Sequence, residues 1–545
     1  MFNKIIKNTS MPFILLFIMN GSGFFHKKLY AQKVFQREEL IRFSGGKPST
    51  FDPTNVDDKP TTQLLQDLYE GLTRIDKDGK VVLAIASSYK IENNNKTYIF
   101  KIRPNAKWSD GSAVTAEHCA LSIKRIINPK ISTTIGFSAF PIKNSREINQ
   151  GKLPISKLGV KTLNSDTIVI DLSYPFPHFL ELLSGINYVC LNPKSYDAKG
   201  NFISENPIIS NSAYKIKKIQ NEKYIEFEKN PYYYNFDKVK IKDVLYYFTE
   251  DMLSQINMYI TGQANMTSPN ISSDDIPYLT KKSAENNLKS NKTLDVILLT
   301  LNTKKKPFKN NLKLRKAISM VIDRSELSTK ILSNPKLSIY DLVPNHIEEY
   351  KSYIPNWAKK TYEERVIEAK KLFSEAGFSE NNKLSIQINY NLHPDNHKIA
   401  IAISNMLKNN LGINVILNRQ EFKENITKLR KGDFEISLNR WYPKYIDAIE
   451  YLGILVSTNQ DNYSFMKDPK FDALIEKAGR QTENSKRTFI LEQAGKKGLE
   501  NYTVIPLLDN LSHFLINYDL AGYTGNDPYL KLYSQDLYFK EIIIK

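Results

Sequence analysis

The chain has 545 residues, 41% of them hydrophobic and 25% charged, with a formal net charge of +18. That much apolar material excludes wholesale disorder, and the length exceeds the roughly 250–300 residues at which one core stops growing, so at least two domains are expected. The lysines are scattered, with no long basic block and no nucleic-acid motif; the charge reads as a lysine- and asparagine-rich surface, and no nucleic-acid partner is expected.

The first 31 residues stand apart. Lys4 and Lys7 precede the apolar run "MPFILLFIM" (11–19), which relaxes through "NGSGFF" into "HKKLYAQ". A basic start, a short apolar stretch and a small residue before a cut form a secretory signal, too short for a stable membrane anchor. Cleavage is expected after Ala31, leaving a mature chain of about +14. No cysteine follows the cut, so a lipoprotein is not expected, and no later run is long and uncharged enough for a membrane helix. The mature protein is expected outside the cytoplasm.

Further along, "TYIFKI" (97–102) reads as a strand, and Thr115 caps a helix that buries Cys119, Ala120, Ile123, Ile126 and Ile127. The second cysteine, Cys190, lies in the apolar stretch "YVCLNP". Export permits a bridge, but apolar surroundings at both positions favour two buried free thiols. "KYIEFEK" (223–229) alternates as a half-buried strand, and "DVILLTLN" (295–302) is a continuously apolar one. Leu314, Ala317, Ile318, Val321 and Ile322 form a helical stripe. Thr361 and Glu364 make a capping box for a helix that runs through Val366, Ala369, Leu372 and Phe373 to Gly377. Mixed strands and helices throughout predict an α/β fold.

Nothing asks for catalysis. "HPDNH" (393–397) spaces two histidines at i and i+4, but no HExxH, CxxC or acidic partner supports a metal. No GxSxG, Walker-type loop or GxGxxG is present. No enzyme activity, cofactor or metal is expected.

"RPNAKWSDGSAVTAEHCALSIKRIINP" (103–129) carries a turn at Ser109-Asp110-Gly111, a packed Trp108 and the helix start at Thr115. This segment resembles the signature of the bacterial family 5 extracellular solute-binding proteins, the peptide receptors of ABC importers. "STFDPTNVDD", "LYEGLTRIDKDGKVV", residues 151–183, residues 212–235 (with Ser212 where the family usually has glycine), "LNTKKKPFKNNLKLRKAISMVIDRSEL", "YEERVIEAKKLFSEAGF", "LGINVILNRQEF" and "GYTGNDP" follow in the family's order. The resemblance implies a two-lobed periplasmic-binding-protein fold of the cluster C type with an extra domain in the first lobe. It places the signal at 1–31, lobe one at 32–70 and 191–290, its extra domain at 71–190, lobe two at 291–510 and a return to lobe one at 511–545. It also implies a monomer that closes on an extended peptide and docks on an inner-membrane ABC permease.

The site follows from the same resemblance. "NVDDK" (Asn55 to Lys59, with Asp57 and Asp58) and Asn439 to Tyr442, including Arg440, are similar to the strands that pair with the ligand backbone. Trp441 opens an element in which Lys444 stands where peptide-binding relatives place the aspartate for the ligand's α-ammonium; Tyr445 and Asp447 continue it. Two resolutions stand open. The ligand presents an anion or a blocked amine to Lys444, helped by Arg440; or Lys444 turns to solvent or pairs with Asp447 while Asp57 or Asp58 takes the amine. His397 and Arg430 are similar to the basic groups near the ligand's carboxylate. Alternatives on the same fold are an N-blocked or cell-wall peptide, haem, a metal chelate or an opine; from another class, a basic chaperone or attachment protein.

Overall fold

The computed structural model describes residues 34–35, 38–56, 58–131, 139–203, 207–281, 285–332, 338–345, 347, 349–481 and 483–543. The expected signal segment lies outside them. The termini, to residue 36 and from 541, form one unit, in which Val34–Phe35 pairs antiparallel with Ile542–Ile543. Residues 37–540 form the other.

Within this larger unit two four-stranded sheets share one core. One is ordered Glu39–Phe43, Asp243–Tyr247, Tyr224–Lys229, Tyr214–Gln220, with the first pair parallel. The other is the antiparallel meander Ala86–Glu92, Thr97–Ile102, Thr167–Asp171, Val160–Asn164. Alternation decides both: Ile225 and Phe227 are buried while their neighbours Tyr224, Glu226 and Glu228 are not, and Tyr98, Phe100 and Ile102 are buried in the same alternating way. Trp108 is fully buried and donates to His118 Nδ1 at 3.0 Å. That histidine closes a capping box with Thr115 on the helix Ala116–Ile126. Here the cysteine expectation fails: Cys119 and Cys190 are joined by a disulfide. Leu191 N–H donates to His118 O at 2.9 Å, which docks the segment carrying Cys190 on that helix. Both thiols were read correctly as buried, but tertiary packing brings them together.

The second lobe is built on a five-stranded sheet ordered Asn414–Gln420, Ser385–Asn391, Ile436–Trp441, Leu288–Leu301, Val504–Leu515. Its first two pairings are parallel and its last two antiparallel. Helices Leu312–Val321, Tyr362–Glu375 and Pro394–Leu411 cover it, the second opened by the Thr361–Glu364 capping box.

The strands Leu288–Leu301 and Val504–Leu515 connect the lobes. Their lower ends join the first lobe, where Thr267 N–H donates to Leu515 O at 3.0 Å. Their upper ends lie in the second sheet. The pairing slips between Lys292 and Val296, so that Thr293, Leu294 and Asp295 bulge out where the chain crosses. A bulge interrupts the ladder and re-aims side chains; these three line the space between the lobes.

Candidate functional site

A cavity of about 300 Å³ lies between the lobes. The first lobe contributes Lys59, Gln66 and Lys531, and the second contributes Asp295, Tyr442 and Lys444. A neighbouring cavity of about 190 Å³ lies within the second lobe, between Asn439–Tyr442 on one side and Asn425, Asp461 and Tyr463 on the other. Tyr442, 45% exposed, belongs to both linings, so the two spaces adjoin.

The strand Ile436–Trp441 supplies the common wall. On one side it pairs with Leu288–Leu301 along its whole length, from Leu301↔Ile436 to Val296↔Trp441. On the other, Ser385–Asn391 pairs only with Ile436, Ser437 and Leu438. Among the described residues no strand pairs with Asn439, Arg440 or Trp441 on that side. Backbone N–H and C=O groups on an open edge are ready to pair with an added extended chain.

Arg440 is held in place at the site. Its Nη1 donates to Asn510 Oδ1 at 3.0 Å and lies 3.8 Å from Asp295 Oδ2, and its Nη2 donates to Asn396 Oδ1 at 3.4 Å. The buried Nε has no hydrogen-bond partner among the described residues, and neither has Asp295 Oδ2. Thr300 Oγ1 donates to Asn439 Oδ1 at 3.2 Å. Trp441 Nε1 donates to Glu450 O at 2.9 Å, fixing the indole on the second-lobe core. Lys59 Nζ lies 4.7 Å from the centre of the Tyr442 ring, a cation–π contact across the cleft. Lys444 is exposed; its backbone N–H donates to Glu450 Oε2 at 2.8 Å.

Several expected site residues have other duties. Around residues 55–59, Pro53–Asn55 is a 3-10 turn, Val56 and Asp58 are extended, and a helix begins at Lys59. The local cause is Asp58, which caps that helix by accepting from Thr61 N–H at 2.8 Å and from Ser49 Oγ at 2.6 Å. Asn55 is exposed at the end of the turn, and Asp57 lies outside the described residues. Because Asp58 is a cap, Asp58→Ala is expected to lower unfolding stability by about 1 kcal/mol in urea denaturation. Its effect on ligand affinity should be small, since Asp58 lines neither cavity. His397 also lines neither; its Nδ1 is 2.8 Å from Tyr390 OH. The histidine beside Arg440 is His393, one turn earlier. Burial, with Arg440 next in weight, pushes its pKa down to about 4, and its Nδ1 caps the helix Pro394–Leu411. No cluster of metal-binding side chains occurs among the described residues. Arg430 is exposed and interacts with Tyr463, at the rim of the smaller cavity.

Asp447 and Tyr445 bind the lobes to each other. Tyr445 leaves the second lobe and is buried in the core of the first, stacked on His178 (ring centres 5.3 Å apart) and edge-on to Phe176. Asp447 is 4% exposed; its Oδ2 meets His178 Nε2 at 2.5 Å and Arg487 Nη1 at 2.6 Å, and its Oδ1 accepts from Arg487 Nη2 at 3.0 Å and Ile449 N–H at 2.7 Å. The pairing of Asp447 with Lys444 allowed by the sequence therefore gives way to His178 and Arg487. Glu181 completes the knot, 2.9 Å from His178 Nδ1 and accepting from Ile446 N–H at 2.8 Å. Burial opposes the charge on His178, but its bonds to Asp447 and Glu181 prevail and raise its pKa to about 9. On the same grounds Asp447 is held far below the usual carboxylate range despite burial. A second clasp joins Lys398 Nζ to Asp274 Oδ1 at 2.6 Å and Ser273 Oγ to Asp395 Oδ1 at 2.9 Å. The residues that the sequence reading missed are His178, Glu181, Arg487, Asp295 and Lys531. Only "PFPHFLELL", within 151–183, gave a local hint of the first two.

Two lobes, a hinge of paired strands and an enclosed cleft with an open strand edge define a solute-binding protein. Residues 80–463 match the profile of bacterial extracellular solute-binding proteins, family 5 Middle, and the chain belongs to this family. It is 30% identical over 509 residues to the periplasmic oligopeptide-binding protein OppA of Salmonella typhimurium, covering 92% of each chain. Haemophilus influenzae OppA in complex with RPPGFSPFR superposes with a TM-score of 0.83 at 28% identity, covering 93% of this chain and all of that one. The Escherichia coli murein tripeptide-binding protein MppA gives a TM-score of 0.85 at 27% identity, covering 93% and 99%. The two-lobed α/β fold expected from the sequence is the one observed.

Proposed function

We propose that the chain is the periplasmic receptor of a peptide ABC importer. It holds an extended oligopeptide between its lobes and delivers it to an inner-membrane permease, as a monomer without cofactor or catalysis. The observation that carries this is the unpaired edge at Asn439–Trp441, opening beside the inter-lobe cavity. A peptide laid there adds a strand through main-chain bonds that ignore side-chain identity, and roomy cavities beside the edge accept varied side chains. The peptide-bound relative supports the same reading. A signal peptide at 1–31 and release as a non-lipidated protein complete it.

Native mass spectrometry of freshly purified protein tests the proposal. The expected result is a ladder of peptide masses above the bare chain. A single discrete mass that fragments without amino-acid spacings would replace peptides with another solute.

A further inference from the structure

Both ring nitrogens of His178 face carboxylate oxygens, one from each lobe. Nδ1 is 2.9 Å from Glu181 Oε2 in the first lobe, and Nε2 is 2.5 Å from Asp447 Oδ2 in the second. A neutral imidazole has one N–H and one lone pair, so it can donate to one carboxylate only and turns its lone pair on the other. The imidazolium donates to both. Asp447 does not supply the proton itself: Arg487 donates to its two oxygens at 2.6 and 3.0 Å and helps to keep it ionised. Charge balance points the same way. With His178 protonated, the knot of His178, Arg487, Asp447 and Glu181 is neutral; with His178 neutral, it keeps an uncompensated negative charge. The surrounding groups leave that balance in place. Tyr445, stacked on the ring, is kept protonated by burial. Glu450 acts on Asp447 and is offset by Lys444; Lys531 acts on Glu181 and is offset by Asp527.

We propose that His178 couples closure to protonation: the ring takes up a proton from solvent as the lobes shut and releases it as they part. Opening separates His178 from Asp447, which stays with Arg487 on the second lobe. Glu181 remains beside the ring, and the single N–H of a neutral imidazole satisfies that one bond. The proton is therefore needed only in the shut form. Burial opposes it most, and the Arg487 cation on the same carboxylate opposes it too, but Asp447 and Glu181 prevail and raise the pKa to about 9. Once the lobes part, the ring falls back toward the ordinary histidine range near pH 6.5. The shut form is thus favoured fully below about pH 6.5 and loses that advantage as pH rises toward about 9. A solute that needs the shut form is captured more tightly at the lower pH. The coupling belongs to the hinge motion and is independent of which solute the cleft takes.

Electron–electron double resonance on the ligand-stripped protein reads lobe separation from nitroxides at Leu163→Cys and Phe489→Cys, exposed positions on the first and second lobes. The native cysteines are bridged, so the labels go to the introduced thiols. Between about pH 6.5 and 9.5 the shut-to-open ratio is expected to fall about tenfold or more with His178 in place. In His178→Gln it is expected to stay level. In Glu181→Gln it is expected to fall with a midpoint at lower pH, because one of the two carboxylates that favour the proton is gone. Circular dichroism at each pH checks that both variants are folded. A ratio that ignores pH with His178 present overturns the proposal. An equal fall in His178→Gln also overturns it, by assigning the proton to another group. Should His178→Gln fail to fold, an unmoved midpoint in Glu181→Gln overturns it instead. Failure of peptides to bind would remove the peptide reading and leave this measurement as it stands.

Discussion

Asp447→Asn is expected to lower the unfolding free energy by about 3–5 kcal/mol, because it removes one member of a buried ion-pair network and leaves the others without compensation. His178 and Arg487 both depend on this carboxylate, at 2.5 and 2.6 Å. Neither lies open enough to water to be rehydrated cheaply, with side chains 24% and 11% exposed. Urea denaturation of the wild type and the variant measures the loss. The pH dependence gives a second readout. The pKa of His178 is raised in the folded protein from 6.5 to about 9, so the knot's contribution is whole below about pH 6.5 and is lost as pH rises toward about 9. On the acid side, Asp447 contributes down to the unfolded carboxylate range near pH 4 and loses its contribution below it. Wild-type stability should therefore decline between pH 6.5 and 9, and Asp447→Asn should flatten that decline. An equal decline in both proteins would place the titrating group elsewhere.

Replacing both Cys119 and Cys190 by serine is expected to cost about 2–4 kcal/mol. The bridge closes a loop between residues 71 apart, which removes many conformations from the unfolded chain. It also fastens the helix Ala116–Ile126 to the segment that follows the turn Ile186–Tyr188 in the first-lobe core. Thermal melts with and without dithiothreitol should differ for the wild type and coincide for the double variant. A wild type indifferent to reductant would show that the bridge adds nothing to stability.

What the sequence made legible was local. Alternation at Ile225 and Phe227, the cap at Thr115, the capping box at Thr361 and the mostly apolar run Val296–Leu301 all declare themselves within a few residues. Asp58 was legible too: an aspartate followed by Lys59-Pro60-Thr61 is a helix start. The wall Asn439–Tyr442 was found through resemblance, yet its open edge depends on where Ser385–Asn391 stops pairing, and no residue in the strand itself announces that. The knot was out of reach. His178, Asp447 and Arg487 come from three distant segments; Asp447 stood out only as part of a ligand-binding element, and the other two look like ordinary polar residues until folding desolvates all three. The disulfide is the same case in apolar form: two buried thiols read correctly one by one, with nothing in either neighbourhood to report the other.

The clasps at His178–Asp447 and Lys398–Asp274 are made by the protein alone. They act whether or not cargo is present, so they enrich the shut receptor in its resting ensemble. Every tenfold of that enrichment tightens apparent affinity while the shut state remains the minor one. The same bonds lengthen the dwell of whatever is trapped, since the lobes part only when both are broken. A change that eased release by weakening these bonds would therefore also weaken capture.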